Sequence, residues 1–169
     1  PPISENVVEC EITNKRAYKK AKDDLLQFIE DKFKDEEKVE KAARAEFLVK
    51  LSTLKQLSLE GKEKFIKKWV EEWMEEKLLV FASQSTILTK IAEEFKEGLL
   101  ITGGTTTKKR DEILQKFFSQ KESRVLFANI GCLGTGVDGL QKVCSNMAIL
   151  ELPPRPSDLV QVIGRLERS

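Results

Sequence analysis

Gln161, Arg165 and Arg168 stand four and three residues apart near the end of this chain. If the run holding them is helical, they share one face. A glutamine and two guanidinium groups on one stripe suit a polyphosphate, because the planar forks offer fixed donors and permanent charge. A solvated helix face with a chance arginine pair would carry the same letters. Gly164 leaves backbone uncovered beside them, so another surface could approach closely. Upstream lies Gly134-Thr135-Gly136-Val137-Asp138-Gly139-Leu140, a loop whose bare amides can reach a phosphate or a ribose. A glycine-rich turn alone is weak support, since most such loops are only tight turns.

The elements that must position these clusters alternate. Residues 78–82 form an apolar run of the kind buried on both faces of a parallel sheet. A helix is expected over 86–95, a strand over 99–102, a helix over 108–118, a strand over 124–128 and another over 147–152. The prolines at 153, 154 and 156 break the last strand, and Ser157 or Asp158 can cap the helix that follows. Strand and helix alternating at this spacing imply a doubly wound α/β domain, in which ligands gather at the carboxyl ends of the strands. Ser83, Gly103, Gly104, Gly134, Asp138 and Arg165 all fall just after strands or on the helix after one, so they are expected along one edge.

The first part of the chain reads differently. Residues 7–12 suggest a strand, and Asn14 can cap a helix over 15–33 with Leu25, Phe28, Ile29 and Phe33 at helical spacing. A second helix over 37–57 would pair with it as a hairpin ended by Gly61. A third, over 62–76, aligns Phe65, Trp69 and Trp73 beside Ile66, Val70 and Met74. Core packing explains the two tryptophans better than base stacking does.

The 169 residues are enough for one substantial core, and 34% are charged, which matches a globular chain rich in surface helix. A net charge of +1 excludes a strongly basic halo, so any nucleic-acid binding must come from a local patch. No apolar run approaches the ~20 residues that span a bilayer, so no membrane partner is expected. Cys10, Cys132 and Cys144 lack CxxC spacing and the chain has no histidine. They read as reduced thiols of an intracellular protein, cytoplasmic or nuclear, with no protein-ligated metal. The missing histidine also excludes a His-based catalytic dyad.

Strand, Gly-x-Gly-Val-Asp-Gly-Leu loop, strand, proline turn and Gln-x-x-Gly-Arg-x-x-Arg, in that order, resemble motifs V and VI of superfamily 2 helicases and translocases. Lys77-Leu78-Leu79-Val80-Phe81-Ala82 resembles motif IV. Gly103-Gly104-Thr105 through Arg110 to Phe117 or Phe118 resembles the block between motifs IV and V. The opening Pro-Pro-Ile-Ser-Glu-Asn, the Leu54-Lys55-Gln56 element and the helical hairpin are most similar to the SWI/SNF-type ATPases. Asp138 stands where that family usually has asparagine, Glu167 where it usually has histidine, and Pro154-Arg155-Pro156 replaces a tryptophan-bearing turn; Gly-Val-Asp and the Pro-Pro-Arg turn are closer to superfamily 2 helicases in general, including RNA-directed ones.

The resemblance implies a C-terminal RecA-like lobe: a doubly wound, mainly parallel sheet with helices on both faces and an inserted N-terminal helical hairpin. It implies a single lobe over 1–169, with a protrusion at 14–60 and an α/β core at 62–169 whose first strand is 6–12. No Gly-x-x-x-x-Gly-Lys-Ser/Thr loop or Asp-Glu-x-x box is present, so ATP and magnesium would be bound mainly by an N-terminal lobe outside this sequence. The chain alone is then half an active site, expected to be inactive as an ATPase. Arg165 and Arg168 would serve as arginine fingers, with Gln161 orienting them or the nucleotide, and Gly136 and Asp138 would complete the nucleotide contacts. Ser83, Gly104, Thr105, Thr106, Arg110, Gly134 and Thr135 would meet nucleic-acid phosphates, with duplex DNA the preferred track and RNA the alternative. A non-catalytic module binding nucleic acid or protein through the same surface is the other reading.

Overall fold

The computed structural model describes residues 4–33, 41–73, 75–133, 139–153 and 155–167, with the backbone alone described at 165–167. The chain divides into two compact units, one formed by residues 1–8 and 65–169 and the other by residues 9–64.

In the second unit, side-chain contacts link α1 (Lys15–Lys32) to α2 (Lys41–Glu72). α2 continues into the other unit. Leu25 and Phe28 form the buried face of α1, and the Phe33 and Phe47 rings meet at 5.5 Å. Lys50 adds an ion pair to Asp24 at 2.6 Å and lies over the Phe28 ring. That carboxylate raises the Lys50 pKa.

Three local expectations give way here. Residues 4–12 are not a strand: Val7 is 94% exposed and Val8 51%, and no described residue forms a ladder with them. Extended backbone without a hydrogen-bonded neighbour has no reason to stay extended. Gly61 does not end a helix; α2 runs through it. A Cβ at Gly61 would fall 2.2 Å from Asn14 Oδ1 and 2.8 Å from Ile12 Cβ, so the glycine serves a close approach of the chain. Asn14 occupies the N-cap position of α1 without a side-chain cap bond, and its Nδ2 donates instead to Leu57 O at 2.8 Å.

The other unit is built on a parallel sheet: β1 (Leu78–Ala82), β2 (Leu99–Ile101), β3 (Val125–Asn129) and β4 (Asn146–Ile149), in the order β2-β3-β1-β4. Every residue of β1 is buried, as a central strand covered on both faces requires. The connections carry α3 (Ser85–Ala92), α4 (Thr107–Ser119), a 3-10 turn at Ile130–Cys132 and the short α5 (Leu140–Val143), and α6 (Pro156–Glu167) follows β4. Leu79, Phe81, Phe117 and Leu126 lie in the core, and Val162 brings α6 into it. Along the end of α2, Ile66 and Val70 are the buried row. The aromatic row expected in the core lies on the less buried side, with Trp73 41% exposed and the Trp69 and Trp73 rings 5.4 Å apart.

The strand order sets the place for a site. β1 leads past β3 to β2 at one edge, whereas β3 leads past β1 to β4 at the other. Neighbouring strands whose onward connections diverge open a crevice at their carboxyl ends, the switch point where such sheets bind ligands.

Candidate functional site

Because all four strands are parallel, their carboxyl ends share one edge. Ser83 follows β1, Gly103 and Gly104 follow β2, the Ile130–Cys132 turn follows β3, and Glu151 follows β4. Of the residues expected along this edge, Ser83, Gly103 and Gly104 are there. Gly134, Thr135, Gly136, Asp138 and Arg168 lie outside the described residues.

Two side chains not anticipated from the sequence dominate the switch point. Asn129, the last residue of β3, donates from Nδ2 to Ser83 O at 2.9 Å and to Ser85 Oγ at 2.7 Å, and its Oδ1 accepts from Gly131 N at 3.1 Å. From the other side, Glu151 Oε1 accepts from Ser83 N at 2.9 Å, Ser83 Oγ at 2.7 Å and Gln84 N at 2.9 Å. The turn between β1 and α3 is thus held by the ends of both neighbouring strands. Ser83 has both of its donors committed to Glu151, so a phosphate contact by Ser83 would have to displace that carboxylate.

The β2–α4 turn is more open. Gly103 and Gly104 are exposed, with free space where a Cβ would stand. Thr105 Oγ1 accepts from Thr102 N at 3.0 Å, and Thr106 Oγ1 accepts from Lys109 N as the N-cap of α4. Both hydroxyls act as acceptors in these bonds, which leaves their O–H groups able to donate outward. Arg110 belongs to the first turn of α4, with Nε 3.9 Å from Asp111 Oδ1, too long for a hydrogen bond, and Nε is buried without a partner among the described residues. Its charge reaches the turn after β3: burial pushes the Cys132 thiol pKa up, and Arg110 pulls it partly back down.

α6 begins with Pro156 at its first position, where the missing N–H is no loss. Val162 anchors it in the core while Gln161 is exposed. The helix is continuous through Glu167, so positions 161 and 165 fall on one face. There is open space at Gly164 where a side chain would begin.

Known proteins agree with this architecture. Residues 61–169 match the Helicase conserved C-terminal domain. No curated protein matches the sequence. Among solved structures, the chain is similar to the Sulfolobus solfataricus SWI2/SNF2 ATPase C-terminal domain, at 17% identity and TM-score 0.65 over 85% of this chain and 70% of that one. It is similar to the Sulfolobus solfataricus SWI2/SNF2 ATPase core in complex with dsDNA, at 20% identity and TM-score 0.62 over 84% of this chain and 33% of that one. It also resembles the C-terminal part of the Fun30 ATPase domain, at 24% identity and TM-score 0.55 over 64% of this chain and 36% of that one. The chain thus spans about a third of the length of two of these solved chains. With the family match covering the whole β1–α6 sheet unit, this chain belongs to the Helicase conserved C-terminal domain family, and its fold is that of a RecA-like helicase lobe.

Proposed function

We propose that this chain is the second motor lobe of an ATP-dependent, SWI/SNF-type translocase that tracks on duplex DNA, and that it works only when joined to a first RecA-like lobe. The observation that carries this reading is the continuous α6: it leaves the carboxyl edge of the sheet with Gln161 exposed and position 165 one turn further along the same face. Family membership and the Sulfolobus solfataricus ATPase fold support it, and one structure of that fold is a complex with dsDNA.

The donor set fits a nucleotide polyphosphate: an exposed amide at Gln161, with guanidinium side chains following at 165 and 168. Arg165 and Arg168 are assigned as arginine fingers, Gln161 as the residue that orients them, and Gly136 and Asp138 as further nucleotide contacts. Magnesium-bound ATP, held mainly by the other lobe, supplies the phosphoryl group whose developing charge those guanidiniums stabilise. On the track side, Gly104, Thr105, Thr106 and Arg110, with Gly134 and Thr135, are assigned to backbone phosphates. Ser83 joins them only if Glu151 gives way.

The test is ATP hydrolysis by the two-lobed protein with duplex DNA, single-stranded DNA or RNA. Stimulation by duplex DNA is expected, and Arg165→Ala should lower stimulated turnover by roughly 10³-fold or more while ATP binding persists. Unchanged turnover in Arg165→Ala and Arg168→Ala would remove the finger assignment. Magnesium-dependent turnover by this chain alone would overturn the half-site reading.

A further inference from the structure

Glu151 brings a carboxylate to the switch point, and among the described residues only one of its oxygens has partners there. Oε1 takes three donors, from Ser83 N, Ser83 Oγ and Gln84 N, at 2.9, 2.7 and 2.9 Å. Oε2 is buried and has no donor among the described residues. Holding the turn uses Oε1 alone, and a glutamine carbonyl would still offer an acceptor there, though a weaker one. A second oxygen that is buried and bare among the described residues is a costly addition to that task. Among the described residues Oε2 lacks a donor, and a cationic one would suit a carboxylate oxygen best.

We propose that Glu151 is a positioning residue for the reaction proposed above, a reading on which this inference rests. Oε1 locks the β1–α3 turn to the exit of β4. Oε2 accepts a cationic side-chain donor that arrives when the lobes close over nucleotide. Glu151 lies shortly before Pro156, the first residue of α6, so the pairing that fixes this carboxylate also fixes the start of the helix carrying Gln161 and Arg165. The pairing exists only in the closed state, and it therefore supports turnover and not ground-state binding.

The experiment compares Glu151→Gln and Glu151→Ala in the two-lobed protein, reading thermal unfolding, the KM for ATP and DNA-stimulated kcat. Glutamine keeps an acceptor for the three turn donors but places an NH2 donor where Oε2 stood, which repels an incoming cation. Glu151→Gln should therefore lower kcat by about ten- to a hundredfold with KM and melting temperature near wild type. Glu151→Ala should lower kcat and melting temperature together. Wild-type kcat in Glu151→Gln overturns the proposal, as does a loss confined to KM, or a melting-temperature fall matching that of the alanine variant. If wild type itself hydrolyses no ATP, the motor reading fails and takes this role with it; an active wild type with an unaffected Glu151→Gln removes this role alone.

Discussion

The side-chain amide of Asn129 donates across the β1–β3 boundary to the main-chain carbonyl of Ser83 at 2.9 Å. The same nitrogen donates to Ser85 Oγ at 2.7 Å, so one side chain ties the end of one strand to the turn leaving its neighbour. Asn129→Ala would leave the partly buried Ser83 carbonyl without this donor. A loss of about 1–3 kcal/mol is expected in urea unfolding, and an unchanged midpoint would show that the turn holds without it.

Gly61 offers a test with an unusual sign. Glycine to alanine inside an exposed helix ordinarily stabilises by about 1 kcal/mol. Here the new Cβ would meet Asn14 Oδ1 at 2.2 Å and Ile12 Cβ at 2.8 Å. Chain segments must shift to admit it, and overpacking of this kind costs about 1–3 kcal/mol. Gly61→Ala should therefore destabilise, and a rise in melting temperature would mean that this approach is looser than described.

Lys77 closes the carboxyl end of α4. Its ammonium donates to Phe117 O, to Gln120 O at 3.0 Å and to Ser123 O at 3.3 Å, and it lies 4.6 Å from the Phe117 ring centroid. A cation there also faces the negative end of the helix dipole. Lys77→Met keeps most of the stem and loses the donors, with an expected cost of about 1–2 kcal/mol at neutral pH, read by calorimetry.

Alkaline stability should separate Lys77 from its neighbour Cys144, whose Sγ lies 3.1 Å from Lys77 O. Burial pushes the Cys144 thiol above its ordinary 9.0 and pulls the Lys77 ammonium below its ordinary 10.5. Above pH 9.0 the unfolded chain loses the cysteine proton while the folded chain keeps it, so this group removes stability as pH rises. Just below 10.5 the folded chain releases the lysine proton first, so this group adds stability as pH rises. Cys144→Ala should make the change in stability from about pH 8 to 10 more positive, and Lys77→Met more negative. Urea titrations across that range check both signs, and the reverse order would reject the assignment.

Thr106 and Arg110 on the α4 turn test the cap and the proposed phosphate contact separately. Thr106→Ala should cost about 1 kcal/mol through the lost cap, and Thr106→Ser should restore it. On the proposed reading, Arg110→Gln should weaken DNA binding by the two-lobed protein evenly across sequences and reduce the salt slope by about 1. An unaltered salt slope would remove Arg110 from the phosphate contacts.

What the residue order determined by itself was whatever repeats locally. The apolar run over Leu78–Ala82, the alternation of strand and helix as far as α6, and the spacing of Gln161 and Arg165 are all visible within a few turns of chain. That was enough for the parallel α/β fold and the helicase lobe. Tertiary structure decided what depends on distant partners. Residues 7–12 have strand-like letters, but a strand needs a neighbour and none of the described residues supplies one. Gly61 has the form of a helix stop, yet the helix passes through it because another stretch of chain packs where its side chain would stand. The Ser83–Glu151 bond joins residues 68 positions apart, a separation at which no local periodicity carries information. Only the parallel pairing of β1 with β4 brings that carboxylate to the turn.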